Sequence, residues 1–260
     1  MTNAYPGTQS VVRVIRLLKL FGGEQDEWTL PDLAAAAGLN KSTAFRMLTA
    51  LEHEGMLERS ETGSYRLGVE MAALGSRALQ NNNLGQLARP YLESLAEETR
   101  ERVTLELLVT NTDGDYSMLI LEAFQSRYLI NIQQEVGVRL PLHATSTGKV
   151  MLAFMPDEER EIALHNSLHA ITPQTIINPT DLEAHLNTIR ERGYATAIGE
   201  LEAGLMATGA PIFNHLAEPV AAISLESIES RVDEAKLHQL AINVVDTAQQ
   251  ISARLGYRQA

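Results

Sequence analysis

Small polar side chains and a long cation open one predicted helix of the chain. Within residues 41–53, Ser42 and Thr43 lie at the amino-terminal end and Arg46 follows one turn later. Short hydroxyl side chains let a helix backbone approach a phosphate, and an arginine at this spacing can reach base edges in a DNA major groove. Lys41 is placed to contact the phosphate backbone. The alternative is that these residues form only the solvated face of a surface helix.

A second candidate for chemistry is the segment Ala144-Thr-Ser-Thr-Gly148, which follows an apolar segment and precedes a predicted helix over 146–154. It is a loose form of the nucleophile elbow, in which the central serine attacks a carbonyl carbon. His215 and His238 follow in an order that a catalytic triad permits. However, no second glycine-rich oxyanion segment is visible, and little length remains for a hydrolase sheet. We therefore expect no enzyme and no catalytic residue, and keep an esterase as the alternative.

Two further patterns fail as sites. Gly148-Lys149 resembles the end of a phosphate-binding loop, but His143 stands where that loop requires a glycine. His165 and His169 have the spacing of two metal ligands on one helix face, yet no third ligand is evident and solvated histidines are the simpler interpretation. The eight methionines are expected in the core. The sequence predicts neither a metal nor a cofactor.

The residues suited to DNA need a scaffold, and the first part of the chain predicts one. Residues 10–21 carry apolar side chains at helical spacing. Thr29 caps a short, alanine-rich helix over about 30–37. After a turn of only three residues, Asn40 caps the helix over 41–53. Two helices joined by so short a turn are typical of a helix-turn-helix.

A β-hairpin is predicted directly after these helices. The apolar pair at 56–57 and the strand at 65–67 flank a polar turn over 59–64, with Gly63 in the turn. The complete order of elements is that of a winged helix-turn-helix, in which the hairpin is the wing. Arg59 lies in the wing, where we expect it to contact phosphate.

Beyond the hairpin the pattern changes to alternating helices and strands. A helix is predicted over 68–79, and three asparagines at 81–83 mark a domain boundary. Further helices are predicted over 84–101, 146–154, 157–166, 182–192 and 232–255, and strands over 103–109, 116–123, 128–133, 207–213 and 219–225. Strands in mixed order with helices outside them favour an α+β class.

Charge is divided unevenly along the chain. The net charge of -12 argues against nucleic-acid binding, but residues 1–67 hold seven basic and eight acidic side chains, whereas the remainder holds 14 and 25. The DNA-binding candidate is thus nearly neutral. The sequence contains no cysteine, which excludes disulfides and thiolate sites. We expect no signal peptide and no membrane span, and therefore a cytoplasmic protein.

Three segments give the chain its resemblance to the IclR family of bacterial transcriptional regulators. They are residues 40–55 with 65–68, residues 139–149, and residues 192–195 with 204–213 and 221–224. The resemblance implies a GAF-like effector-binding domain, joined by a linker helix to the winged helix-turn-helix. It also implies homodimers or homotetramers, associated with the nucleoid through double-stranded operator DNA. The implied domains are 1–67 for DNA binding, 68–83 for the linker helix, and 84–260 for effector binding and oligomerisation.

The resemblance also implies where a small molecule binds. Family members mostly sense small carboxylates or aromatic compounds, so a metabolite or organic acid is the implied effector. Carried over by position, apolar contacts come from Leu129, Ile132, Leu140 and Leu205, and polar contacts from Ser146, Thr147 and Ser224. The residues themselves support one part of this, because the start of a helix at Ser146 offers backbone N–H groups and a favourable dipole to an anion.

Three of the implied pocket positions depart from the family. An acidic residue common there falls at Ala197, a common cysteine falls at Ala207, and an expected serine is replaced by Glu226. If Glu226 faces the cavity, a carboxylate effector meets a like charge; if it points to solvent, nothing changes. Our hypothesis is that the effector is not a simple keto acid, and is neutral or carries a donor group. An unchanged ligand preference in Glu226→Ser would contradict it.

Overall fold

The computed structural model describes residues 8–22, 25–80, 83–110, 115–128, 135–164 and 168–258. The chain divides into two compact units, Met1–Asn82 and Asn83–Ala260. Each unit has its own buried apolar core. The fold is an amino-terminal helix-turn-helix unit followed by an α/β unit built on one curled sheet.

The first unit contains the predicted order of elements. Its helices are α1 (Gln9–Lys19), α2 (Leu30–Ala36), α3 (Lys41–His53) and α4 (Val69–Gln80), and its hairpin strands are β1 (Leu57–Arg59) and β2 (Tyr65–Leu67). The side chain of Thr29 accepts a hydrogen bond from the backbone of Asp32 at the start of α2. Asn40 accepts one from Thr43 N at 2.8 Å at the start of α3. Both predicted caps are present, so local chemistry sets both helix starts.

The core of the first unit lies between the three leading helices and the hairpin. Its fully buried members include Leu17, Leu33, Leu48 and Tyr65. The apolar stripe along α1 is only partly covered, because Ile15 is 45% exposed in the chain alone. Helical periodicity identified the stripe but not which of its residues the core would bury.

Trp28 extends the hairpin, which sequence analysis did not predict. It pairs with Tyr65 in an antiparallel bridge, with N–H···O distances of 2.9 and 2.8 Å in the two directions. At the other end of the hairpin, the backbones of Gly68 and Gly55 lie close together. A Cβ on Gly68 would lie 2.2 Å from the carbonyl oxygen of Gly55, so only glycine permits this approach. These two contacts fix the wing against the helices.

The second unit is a mixed α/β structure. Its helices are α5 (Asn83–Thr99), α6 (Ser146–Phe154), α7 (Asp157–Leu164), α8 (Pro179–Arg192) and α9 (Glu234–Arg254). Its strands are β3 (Arg102–Thr110), β4 (Tyr116–Phe124), β5 (Arg139–Leu140), β6 (Ala195–Ile198), β7 (Leu205–Phe213) and β8 (Pro219–Ile228). Within the described residues these strands form one antiparallel sheet in the order β5-β4-β3-β8-β7-β6.

The sheet has a different cover on each face. Helices α5 and α9 pack on one face, where Val103 and Leu105 of β3 join their core. Helices α6 and α8 lie on the other face. The side chains of Arg102, Thr104 and Glu106 alternate with the apolar ones along β3 and so point to the α6 face. A row of polar groups is therefore buried beneath α6.

The structure departs from the predicted elements at several points. Strands β5 and β6 were not predicted, and most of the predicted strand at 128–133 lies outside the described residues. The predicted turn at 111–115 and the end of the predicted helix over 157–166 also fall largely outside them. Among the helices that the structure describes, none combines the length and apolarity needed to cross a bilayer.

Candidate functional site

The first turn of α3 presents the predicted DNA-reading residues at the surface. Lys41, Ser42 and Arg46 are exposed, and Thr43 is half-buried. The Ser42 hydroxyl donates to Asn40 Oδ1 at 2.9 Å, the same oxygen that accepts the Thr43 N–H. One capping side chain therefore holds both hydroxyl residues in place at the end of the helix.

A groove of about 510 Å³ separates α3 from α1. Thr43 and Arg46 border it on the α3 side, and Arg13 and Val11 border it on the α1 side. Sequence analysis did not single out Arg13. The groove thus adds a cation beside Arg46.

The predicted wing residue Arg59 ends strand β1 and is exposed. Its guanidinium carbon lies 5.6 Å from the centre of the Tyr65 ring. The neighbouring Arg66 pairs with Glu58 across the hairpin at 2.9 Å, which neutralises that charge. Of these two wing arginines, Arg59 contacts an aromatic ring, whereas Arg66 forms an ion pair with a carboxylate.

A second candidate site is a cavity of about 20 Å³ between the start of α6 and the sheet. Its apolar lining consists of Leu140, Ala144, Ala197, Leu201, Leu205 and Ala207, and its polar lining of Glu106, Thr145, Ser146, Thr147, Ser224 and Glu226. The structure therefore gathers six of the predicted effector-binding residues, Leu140, Ser146, Thr147, Leu205, Ser224 and Glu226. The other two, Leu129 and Ile132, lie outside the described residues.

Two glycines allow α6 to lie close to its neighbours: Gly209 faces it from the sheet, and Gly148 lies against the segment between β5 and α6. A Cβ on Gly209 of β7 would come within 2.9 Å of Ser146 Oγ and 3.0 Å of its carbonyl carbon. A Cβ on Gly148 would lie 2.3 Å from the carbonyl oxygen of Leu142. A larger residue at Gly209 would push against Ser146, and one at Gly148 would have to displace the backbone of Leu142.

Hydroxyl groups connect α6 to the polar row of the sheet. Thr147 Oγ1 donates to Glu106 Oε2 at 2.6 Å, and Thr104 Oγ1 donates to Glu106 Oε1 at 2.8 Å. Ser146 Oγ and Ser224 Oγ lie 3.1 Å apart. The start of α6, which sequence analysis proposed for an anionic ligand, therefore already has a carboxylate of the protein beside it.

Glu226 faces the cavity and is buried. Its Oε2 lies 3.0 Å from Arg102 Nε, and strand pairing places Ala197, Ala207, Glu226 and Arg102 in one row across four strands. Burial raises the pKa of Glu226 from 4.5 to about 7, although the Arg102 charge opposes this, and Glu106 adds to the increase. The positions where the sequence departs from the family are thus neighbours in the cavity.

Sequence analysis did not identify Glu106 or Arg102. Each has partners far away in sequence, since Thr147 follows Glu106 by 41 residues and Glu226 follows Arg102 by 124. A local signal was nevertheless present: Thr104 and Glu106 alternate with apolar residues in the strand predicted over 103–109, and Arg102 directly precedes that strand. Three polar side chains at a spacing of two must share a face, which indicates a polar site on that face.

The chemical alternatives find little support in the same region. The Ser146 hydroxyl contacts another serine rather than a histidine. Lys149, considered for a phosphate loop, is buried and its Nζ pairs with Glu200. Burial lowers the pKa of Lys149, while the Glu200 charge opposes this. His165 lies outside the described residues; among those described, no three acidic or histidine side chains are grouped to hold a metal ion.

Comparison with known proteins assigns both units. Residues 10–61 match the IclR helix-turn-helix domain, and residues 76–253 match the bacterial transcriptional regulator IclR C-terminal domain. The chain is 32% identical to the transcriptional repressor IclR of Escherichia coli K12 over 250 residues, which cover 95% of this chain and 90% of that protein. It is also 32% identical to the regulator KipR of Bacillus subtilis, covering 96% of this chain and 98% of KipR.

A solved structure agrees with this assignment. The chain is similar to an IclR homologue of Microbacterium hydrocarbonoxydans crystallised with 4-hydroxybenzoate, with 29% identity, a TM-score of 0.78, and coverage of 95% of this chain and 99% of that one. A capped helix-turn-helix followed by an α/β effector-binding unit defines the class of transcriptional regulators that bind DNA and a small molecule. Within that class, the chain belongs to the IclR family.

Proposed function

We propose that Lys41, Ser42, Thr43, Arg46 and Arg59 carry operator recognition. In this assignment α3 enters the major groove, where Arg46 reads base edges and the two hydroxyl residues lie close to phosphate. Lys41 and the wing residue Arg59 contact the backbone. The observation that carries the proposal is the exposed first turn of α3, where Asn40 Oδ1 accepts hydrogen bonds from the Ser42 hydroxyl and from the Thr43 backbone N–H.

We further propose that residues 68–83 act as the linker between a DNA-binding domain at 1–67 and an effector-binding, oligomerising domain at 84–260. An effector bound near Ser146, Thr147, Ser224 and Glu226, with Leu140 and Leu205 as apolar walls, changes the spacing of two recognition helices in a homodimer or homotetramer. A changed spacing alters operator affinity because the two half-sites have a fixed separation. Leu129 and Ile132 remain predicted members of this site, and the GAF-like comparison remains a prediction.

We infer that the chain acts without catalysis and works on operator DNA in the cytoplasm, at the nucleoid. The hydrogen bond between Ser146 and Ser224 supports this, because a serine nucleophile needs a general base as its partner. A hydrolase would keep its turnover when the DNA-reading helix is altered. A regulator would lose its operator.

The test is a mobility shift with DNA from the region upstream of its own gene, across a salt series. Wild type should bind specifically and with a salt dependence, whereas Arg46→Ala should lose at least about tenfold in specific affinity. Thr49→Ala, on the same exposed helix face but beyond the first turn, is the matched control. Equal binding by wild type and Arg46→Ala to this and neighbouring intergenic DNA would overturn the recognition assignment.

A further inference from the structure

Two carboxylates share the lining of one small cavity. Glu106 lies on β3 and is 1% exposed, and Glu226 lies on β8 and is 4% exposed. Burial raises the pKa of both, and the Glu106 charge raises that of Glu226 further. Two such groups cannot both be ionised at low cost without positive charge close by.

One cation lies close to the two carboxylates, and its charge acts on both of them. Among the described residues, the cation in contact with this pair is Arg102, whose Nε lies 3.0 Å from Glu226 Oε2. Lys149 is committed elsewhere, because its Nζ contacts Glu200 and the carbonyl oxygen of Thr196. With both carboxylates ionised, the cavity therefore carries one negative charge in excess.

Most of the hydroxyl donors around the cavity are also committed, because only one proton of the Ser146–Ser224 pair is left to donate. Thr147 and Thr104 both donate to Glu106, and Ser146 and Ser224 contact each other. An incoming carboxylate would compete with Glu106 for the donors at the start of α6 and would face its negative charge. A group that donates hydrogen bonds and carries positive charge would instead be attracted by the carboxylates and could donate to their oxygens.

We propose that this cavity selects an effector with a protonated amine on a short apolar group, and disfavours a carboxylate. The inference rests on the proposed function, since it names the ligand class of the effector cavity. An ammonium group offers three donors to the oxygens of Glu106 and Glu226 and balances the excess charge. The small side chains of Ala197 and Ala207 leave room beside Glu226 in the row of four strands.

The size of the cavity limits the effector. The volume of about 20 Å³ leaves room for a small head group rather than a large one. The half-buried Leu201, on the loop after β6, lines the cavity and offers an apolar contact to the rest of the effector. A charged head on a few carbon atoms fits these limits, whereas a large polar ligand does not.

The test compares three four-carbon probes on the full chain: butylamine, butanol and butyrate at equal ionic strength and pH 7.5. Thermal unfolding and calorimetric titration should show butylamine binding at least about tenfold more tightly than butyrate, with butanol between them. Glu226→Gln and Glu106→Gln remove charge with little change of shape, and each should reduce the amine preference about tenfold. Glu229→Gln removes an exposed carboxylate close by and should leave the preference unchanged.

Circular dichroism shows whether each variant folds. If Glu226→Gln does not fold, the comparison of wild type with Glu106→Gln tests the proposal. Three results would each overturn the proposal. Butyrate could bind as tightly as butylamine, or butylamine could fail to bind up to about 50 mM, beyond the range of weak millimolar binding. The third result is an unchanged preference for the amine in a glutamine variant that folds. Mobility shifts separate this from the proposed function. Amine-selective binding without an effect on DNA affinity supports the proposed ligand class and contradicts effector control of DNA binding. A change in DNA affinity caused by butyrate alone supports effector control and contradicts the proposed ligand class.

Discussion

Glu226 and Arg102 face each other across strands β8 and β3, with Glu226 Oε2 3.0 Å from Arg102 Nε and both side chains buried. Without Arg102, the carboxylate of Glu226 must stay buried without its cation or take up a proton, and either change costs stability at pH 7.5. We expect Arg102→Met to lower the free energy of unfolding at pH 7.5 by about 3–5 kcal/mol, measured by urea denaturation. The double variant Arg102→Met/Glu226→Met should recover most of this loss. Equal stability of wild type and Arg102→Met would mean that the pair contributes nothing.

The titration of Glu226 predicts a pH dependence of stability. Its pKa rises from 4.5 to about 7 on folding, so the folded chain holds this proton in a range where the unfolded chain has released it. The stability that this group contributes is therefore complete below pH 4.5 and is lost as the pH rises through 7. Relative to Glu226→Gln, wild type should lose on the order of 3 kcal/mol between pH 5 and 8. Urea denaturation across this range measures the difference, and a constant difference would contradict the prediction.

The Asn40 cap allows stability and DNA binding to be separated. Asn40→Ala removes the acceptor of the Thr43 N–H and should cost about 1 kcal/mol of stability. Asn40→Asp keeps an acceptor and should preserve stability, but it places a negative charge beside the phosphate-binding turn. We therefore expect the aspartate variant to unfold like wild type and to bind operator more weakly. Wild-type affinity of Asn40→Asp in a mobility shift would argue against the position assigned to α3.

A pair of glycine substitutions tests the close approach of α6 to the sheet. Gly209→Ala places a Cβ within 3.0 Å of the Ser146 backbone, so we expect it to lower stability by about 1–3 kcal/mol. Gly75 lies in α4 with no atom within 4 Å of a Cβ, and Gly75→Ala should instead stabilise by about 0.5–1 kcal/mol. Thermal unfolding of the two variants should shift in opposite directions. A neutral Gly209→Ala would show that α6 can move away at little cost.

The features that sequence analysis predicted well depend on neighbours in sequence. Helix α3 has the predicted bounds, because its start is set by Asn40 and its end by the nearby Gly55. The hairpin follows from Gly63, which takes a positive φ of 87° in the turn. For the same reason, the start of α6 at Ser146 could be recognised from the residues around it. Thr145 caps this helix by accepting a hydrogen bond from Gly148 N, and both residues lie within its first turn or directly before it.

The features that it missed depend on distant partners. Strands β5 and β6 span only two and four residues, and their pairing with β4 and β7 decides that they are strands. The sequence alone also left the direction of Glu226 open, because that depends on its register with Arg102 on β3. Glu106 became a cavity residue only through helix α6, which crosses the sheet above it.

Trp28 gives this regulator a spectroscopic use. It is the only tryptophan in the sequence, and it belongs to the helix-turn-helix unit through its bridge to Tyr65. Intrinsic fluorescence excited at the indole band therefore comes from the DNA-binding unit, while the cavity contributes no indole of its own. A change in emission when a cavity ligand is added to DNA-free protein would mean that ligand binding in the second unit alters the surroundings of Trp28 in the first. Trp28 therefore offers a label-free measurement of the proposed coupling between the two units.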